Sequence, residues 1–213
     1  MRKLNRIPID TPDCLKELDT NSGKTVQQLY TERWKKRVIK FQRGQIKNSP
    51  SFNWYQLDIK LRELLSNSSK NHCAFCDCKF TEDFSEHFPI EHFYPKNEEP
   101  DKAFEWENLF PICTTCNTCK GSQIDVKLVK PDLPDYEFND YFIFNYKTGG
   151  IEPNPSTSKD KQEKASKTIE IYDLKRKGLC KDRNDELNEY ERFKDIENNI
   201  DYYAHRDYIE RVI

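Results

Sequence analysis

The 213-residue sequence predicts an α+β protein: a zinc-stapled strand–strand–helix core embedded in a mainly helical domain. Three observations lead there. Two CxxC pairs, Cys73/Cys76 and Cys113/Cys116, bracket residues 77–112. Within the bracket lie two short aromatic and β-branched runs with the character of strands. Outside it, apolar residues recur at helical spacing.

Composition narrows the class. Charged residues make up 34% and hydrophobic residues 35%, so aromatic side chains (3 Trp, 11 Tyr, 13 Phe) must fill much of the core. The net charge of −2 is unlike that of a free-standing DNA binder, whose affinity comes from neutralising phosphates. Grip on nucleic acid must then come from a local basic face or from a partner. The eight cysteines would suit a secreted disulfide scaffold. However, the first residues, Met-Arg-Lys-Leu-Asn-Arg-Ile-Pro, form no apolar signal segment, and no apolar run approaches membrane length. The expectation is a reducing cytoplasm, with thiols on metal and no membrane contact.

Residues 1–10 read as an extended arm. Thr11-Pro12-Asp13 reads as a helix start with a capping hydroxyl and Pro at the first helical position. Cys14 on this short helix reads as a buried apolar residue. Gly23-Lys24-Thr25 resembles the tail of a phosphate-binding loop, but Leu18 stands where that loop needs its first Gly. A loop leading into a helix is expected instead. Val26, Leu29, Tyr30, Trp34, Val38 and Phe41 then mark a helix. Its opposite face carries Arg33, Lys36, Arg37, Lys40 and Arg43, either an ordinary solvated face or a strip that lies along a phosphate backbone. A loop over Gly44–Asn53 precedes a second helix marked by Trp54, Leu57, Leu61, Leu64 and Leu65. Asn67–Asn71 is a polar break.

Each CxxC turn holds two thiols close enough to share a metal. Two such turns supply the four thiolates of a closed tetrahedral zinc site. The gap between the pairs exceeds what a simple zinc ribbon requires, so the metal would staple the base of a larger insert. That insert reads as a polar turn (Thr81–Glu86), a strand (Phe88–Tyr94), an acidic loop (Asn97–Lys102) and a second strand (Phe104–Phe110). A helix over Thr114–Ser122 comes next. Cys78 and Cys119 compete as thiolates, but the CxxC spacing favours the other four. Cys180 reads as structural, and His87 as a turn or surface residue. Beyond lie a connector (Asp125–Pro134), a strand (Tyr136–Tyr146) ending at the Gly149-Gly150 turn, and a loop (Asn154–Asp160). A helix over Lys161–Leu174 and one long helix over Asp182–Val212 complete the chain. In that long helix, Leu187, Tyr190, Phe193, Ile196, Ile200 and Tyr203 would share one side. The resulting organisation is 1–70, arm and helices; 71–124, zinc-knuckle core; 125–213, strand/turn segment and C-terminal helices.

The run Cys73–Cys76, Ile90-Glu91-His92-Phe93, Trp106-Glu107-Asn108-Leu109, Cys113–Cys116, Asn117 and Lys120-Gly121 resembles an HNH endonuclease, the ββα-metal fold. It most resembles the HNH subunits of Septu-type and retron-associated antiphage defence systems. Phe142–Pro153 and Thr168–Arg183 also resemble the segments C-terminal to the motif in that family. The resemblance implies hydrolysis of DNA phosphodiesters and an ATPase partner subunit in a defence complex. It implies that Glu91 and Asn117 hold one catalytic divalent ion, Mg²⁺ or Mn²⁺, to which their hard oxygens are suited. It implies that Asn108 fixes the loop carrying the histidine and that Lys120 contacts a phosphate. The family more often carries Asp or His where Glu91 stands.

Phosphodiester hydrolysis needs a base to activate water and a cation to offset charge on the phosphate and the leaving oxygen. His92 is the natural base, because its ordinary pKa lies near neutrality. Glu91 and His92 are adjacent on a strand and face opposite ways. Both serve one phosphate only if the strand ends or bends there. The competing reading is a non-catalytic zinc-stapled adaptor that binds nucleic acid or protein.

Overall fold

The computed structural model describes residues 1–48, 55–81, 87–123 and 127–212. Trp54, the end of the loop at Asn53, the polar turn beyond Thr81 and the start of the connector at Asp125 lie outside the described residues. Among those described, the chain runs α1 (Asp13–Lys16), α2 (Val26–Gln42), α3 (Tyr55–Ser69), β1 (Ile90–His92), β2 (Leu109–Pro111) and α4 (Thr114–Lys120). It continues through β3 (Phe142–Asn145), β4 (Gly150–Pro153), α5 (Lys159–Ile171), α6 (Lys177–Phe193) and α7 (Arg206–Glu210). Strands β1 and β2 pair antiparallel, with Glu91 opposite Phe110 and His92 opposite Leu109. A second antiparallel hairpin joins β3 to β4. No described helix is long and apolar enough to cross a membrane.

Gly23-Lys24-Thr25 is the entry to α2. Thr25 and Gln28 form a reciprocal capping box that satisfies two of the helix's orphan N–H groups. Trp34 and Val38 bury the inner face, while Phe41 is exposed near the frayed end. In α3, Leu57, Leu61 and Leu65 are buried at helical spacing. The polar break comes later than Asn67: the helix runs to Ser69, because the buried Ser68 hydroxyl bonds back to the Leu64 carbonyl. It stops where Lys70 and Asn71 turn left-handed.

The N-terminal arm has no regular structure, yet it is built into the core. Met1 and Leu4 are buried, Leu4 donates to the Pro131 carbonyl at 2.9 Å, and Tyr136 caps the Met1 carbonyl at 2.5 Å. Arg6 is buried beneath Trp106 and Phe110, its guanidinium 5.0 and 4.6 Å from their rings, and is paired with Asp132 at 2.6 Å. A chain of aromatic contacts ties the lobes together. Tyr172, at the end of α5, stacks on Phe75 of the first CxxC turn at 3.9 Å; Phe75 meets Phe110 of β2, and Phe110 meets Phe93.

Several elements differ from the sequence expectation. In α1 the cap position is Pro12 and no side chain caps it. The strand expected over Phe104–Phe110 is a 3₁₀ turn at Trp106–Asn108 followed by β2, because Trp106 and Asn108 bond distant backbone. The strand expected over Tyr136–Tyr146 is likewise a 3₁₀ turn at Phe138–Asp140 followed by β3. The long C-terminal helix is two: α6 starts earlier and stops at Phe193, leaving Ile196 85% exposed. Beyond it, the Asn199 side chain accepts from Asp201 N–H, and His205 adopts φ +53° so that its N–H reaches the Asp77 carbonyl at 2.7 Å. That tertiary bond, next to the first CxxC pair, outweighs continuing the helix. Arg206 then bonds the Asp77 carboxylate at 2.7 Å and the Ser69 carbonyl at 3.1 Å, clamping the C-terminal segment onto the cysteine turn.

Candidate active site

The two CxxC turns meet. The sulfurs of Cys73, Cys76, Cys113 and Cys116 all lie within 4.8 Å of one another, and Cys76 and Cys113 are 3.7 Å apart. A tetrahedron of Zn–S bonds has sulfur–sulfur edges of about 3.8 Å. The donor set therefore fits zinc in both chemistry and spacing. Cys113 caps α4, its sulfur accepting from Cys116 N–H at 3.4 Å. Hydrogen bonding from Cys116 pulls the Cys113 thiol down to about 4, whereas burial holds Cys73 well above the usual thiol value. Sulfurs this close cannot all be thiolates without a cation among them. Arg176, just before α6, adds positive charge from outside, donating to Cys116 Sγ at 3.6 Å. Cys78 and Cys119 are not in the four-sulfur group, Cys14 is buried, and His87 is exposed in a turn.

The staple fixes the base of β1, β2 and α4. Strand β1 ends at His92, and the Asn108 side chain closes the loop beyond it. Asn108 Oδ1 accepts from Tyr94 N–H at 2.7 Å, and its Nδ2 donates to the carbonyls of Tyr94 and Lys102 at 3.0 and 2.9 Å. Trp106 anchors the same turn from the other side, donating to the Pro8 carbonyl at 2.9 Å. Within this frame His92 Nε2 lies 3.0 Å from the Ala103 carbonyl. A carbonyl only accepts, so Nε2 carries the proton and Nδ1 presents the lone pair. Burial, with Lys96 adding to it, lowers the His92 pKa to about 3, so the ring is neutral at pH 7.

Glu91 is buried and forms an ion pair with Lys120 of α4. Burial raises the Glu91 carboxyl pKa, and Lys120 opposes that shift. Lys120 also donates to the His92 backbone carbonyl at 3.1 Å. Lys120 is only 1% exposed. In the structure its ammonium lies between the Glu91 carboxylate and the His92 backbone carbonyl. Asn117 is half-buried on α4, three residues before Lys120 and so on the same helix side.

Helix α2 packs on the loop after β1. Trp34 Nε1 donates to the Lys96 carbonyl at 2.7 Å, and Lys35 pairs with Asp101 at 2.5 Å. Arg33, Lys36, Arg37, Lys40 and Arg43 are all exposed on this helix. Sequence reasoning missed Lys96 and Arg176. The first comes directly after Pro95, just past the Glu-His strand, which is a local signal. The second reaches the cysteines only through the fold.

Comparison with known proteins at the level of sequence points to the same segment. The family model described as HNH endonuclease covers residues 73–123. Those residues are an HNH endonuclease domain. The HNH domain holds both cysteine pairs, Glu91, His92, Asn108, Asn117 and Lys120. The chain is also similar to the Septu protein PtuB of Bacillus thuringiensis, 34% identical over 109 residues. That similarity spans 50% of this chain and 41% of the relative.

Proposed function

We propose that the chain is a metal-dependent HNH endonuclease that hydrolyses DNA phosphodiester bonds, the nuclease of an antiphage defence complex. One observation carries the reading. The HNH domain brings both cysteine pairs, Glu91, His92 and Asn108 to one small frame, in which the His92 ring is oriented by its Nε2 contact with the Ala103 carbonyl, and His92 is the residue assigned as base.

The residues also suit the second metal. Glu91 is a buried carboxylate whose partner is the Lys120 ammonium, and a divalent ion would share that carboxylate or displace the ammonium from it. Asn117 adds an amide oxygen on the same side of α4. When bound, a Mg²⁺ or Mn²⁺ ion held by Glu91 and Asn117 would offset charge on the phosphate and the leaving oxygen. Asn108 orients the loop behind His92, and the zinc cluster keeps β1, β2 and α4 in register. Helix α2 docks on the loop beyond His92 through Trp34 and leaves its basic residues exposed, which supports a nucleic-acid substrate lying across that helix. The net charge of −2 favours a subunit docked on a partner, and the resemblance to Septu-type systems supports an ATPase in that role.

The test is plasmid cleavage with Mg²⁺ or Mn²⁺, with the partner present, comparing wild type with His92→Ala. Loss of cleavage in the variant is expected. Equal behaviour would favour the zinc-stapled adaptor.

A further inference from the structure

A phosphate approaching His92 from the α2 side needs a cation that no carboxylate already holds. Lys120 does not meet that condition, since Glu91 and the His92 carbonyl engage its buried ammonium. The other lysines near the loop are also paired: Lys35 with Asp101, Lys102 with Glu99 at 3.5 Å, and Lys130 with Asp132 at 3.3 Å. Lys96 is different. It sits after Pro95 at the exit of β1, half-buried, four residues beyond His92. Its carbonyl is fixed by Trp34, and its ammonium rests 5.2 Å above the same indole ring. Among the described residues its ammonium meets no carboxylate within ion-pairing distance, yet its charge acts on both Glu91 and His92. Burial lowers its pKa, and Glu91 opposes that shift.

We propose that Lys96, not Lys120, supplies the phosphate-side ammonium of this site, held in place by Trp34 of the basic helix. The proposal rests on the nuclease reading and assigns it a substrate-binding residue. A half-buried ammonium held against an aromatic face is pre-positioned, and a phosphate oxygen gives it the anionic partner it lacks. Arg33, Lys36, Arg37 and Lys40 are exposed on the same helix and would add phosphate contacts beyond that made by Lys96.

The experiment uses the full chain in two arms. In a His92→Ala background, binding of a fluorescein-labelled DNA duplex is tracked by anisotropy across a salt series. In the His92-containing protein, KM and kcat for plasmid cleavage are measured. Lys96→Met keeps the apolar stem on Trp34 but removes the charge. It is expected to weaken binding about ten- to a hundredfold and to reduce the slope of log affinity against log salt by about 0.9. Lys96→Arg should restore both, and zinc content should not change. Lys96→Gln serves the same purpose should the Met variant not fold. Cleaving wild-type protein together with an unchanged salt slope and KM in Lys96→Met would overturn the assignment while leaving the nuclease reading intact. Wild-type protein that, with its partner present, neither binds nor cuts DNA would overturn both.

Discussion

Replacing Lys120 with Met strips Glu91 of its cation while keeping most of the stem volume. The two side chains are 1% and 6% exposed, so water cannot take over the ammonium's role. Breaking a buried ion pair by removing one partner costs about 3–5 kcal/mol. The lost 3.1 Å bond to the His92 carbonyl adds about 0.5–1.5 kcal/mol. Glu91 limits the damage by taking up a proton, the direction in which burial already pushes it. Its folded-state pKa is raised, so the stability deficit shrinks as pH falls and grows as pH rises through that pKa. A net loss of about 4 kcal/mol is expected near neutral pH. At about 2–4 °C per kcal/mol for a chain of this size, Tm should fall by roughly 8–16 °C. Urea denaturation of the zinc-loaded protein reads this as a lower midpoint at unchanged slope. The double variant Glu91→Gln/Lys120→Met should recover much of the loss, because no buried charge remains. A loss below about 0.5 kcal/mol, as for an ordinary exposed lysine, would show that the pair does not stabilise the fold.

Cys113→Ser should lose zinc and unfold the site, whereas His92→Ala should keep its zinc; metal analysis of the two purified variants separates them, and equal loss would move His92 into the structural site. Gly149 has φ +68°, and a Cβ there would sit 2.0 Å from the Cys180 carbonyl oxygen. Gly149→Ala should therefore cost at least ~2 kcal/mol in urea denaturation, and a neutral result would contradict the contact between the hairpin and α6.

The features legible in the sequence were mostly local. The CxxC spacing places two sulfurs on one turn whatever surrounds it, and the two turns meet with four sulfurs spaced to share one metal. Helix α2 was legible because its buried Trp34 and Val38 and its exposed basic residues separate at helical spacing. The features that were not legible depend on partners distant in the chain. Trp106 and Asn108 have strand-like neighbours, but bonds to Pro8, Tyr94 and Lys102 curl them into a turn. The C-terminal periodicity suggested one helix, but the helix ends at Phe193 and the His205–Asp77 bond ties the segment beyond it to the first cysteine turn. The resemblance gave Lys120 a phosphate contact but no partner within the chain. Only the packing of α4 against β1 brings it to Glu91. Lys96 gains its role in the same way, from the docking of Trp34.

The proposed nuclease joins four sulfurs suited to zinc with His92 as base beside Glu91 and Asn117, which would hold a divalent ion. The most direct measurement takes one preparation of wild type and one of His92→Ala and records, for each, bound zinc per chain and plasmid cleavage with and without Mg²⁺ or Mn²⁺. The account predicts the same zinc content in both, with cleavage confined to wild type and dependent on the added ion. Cleavage by the zinc-loaded His92→Ala protein at the wild-type rate would contradict it.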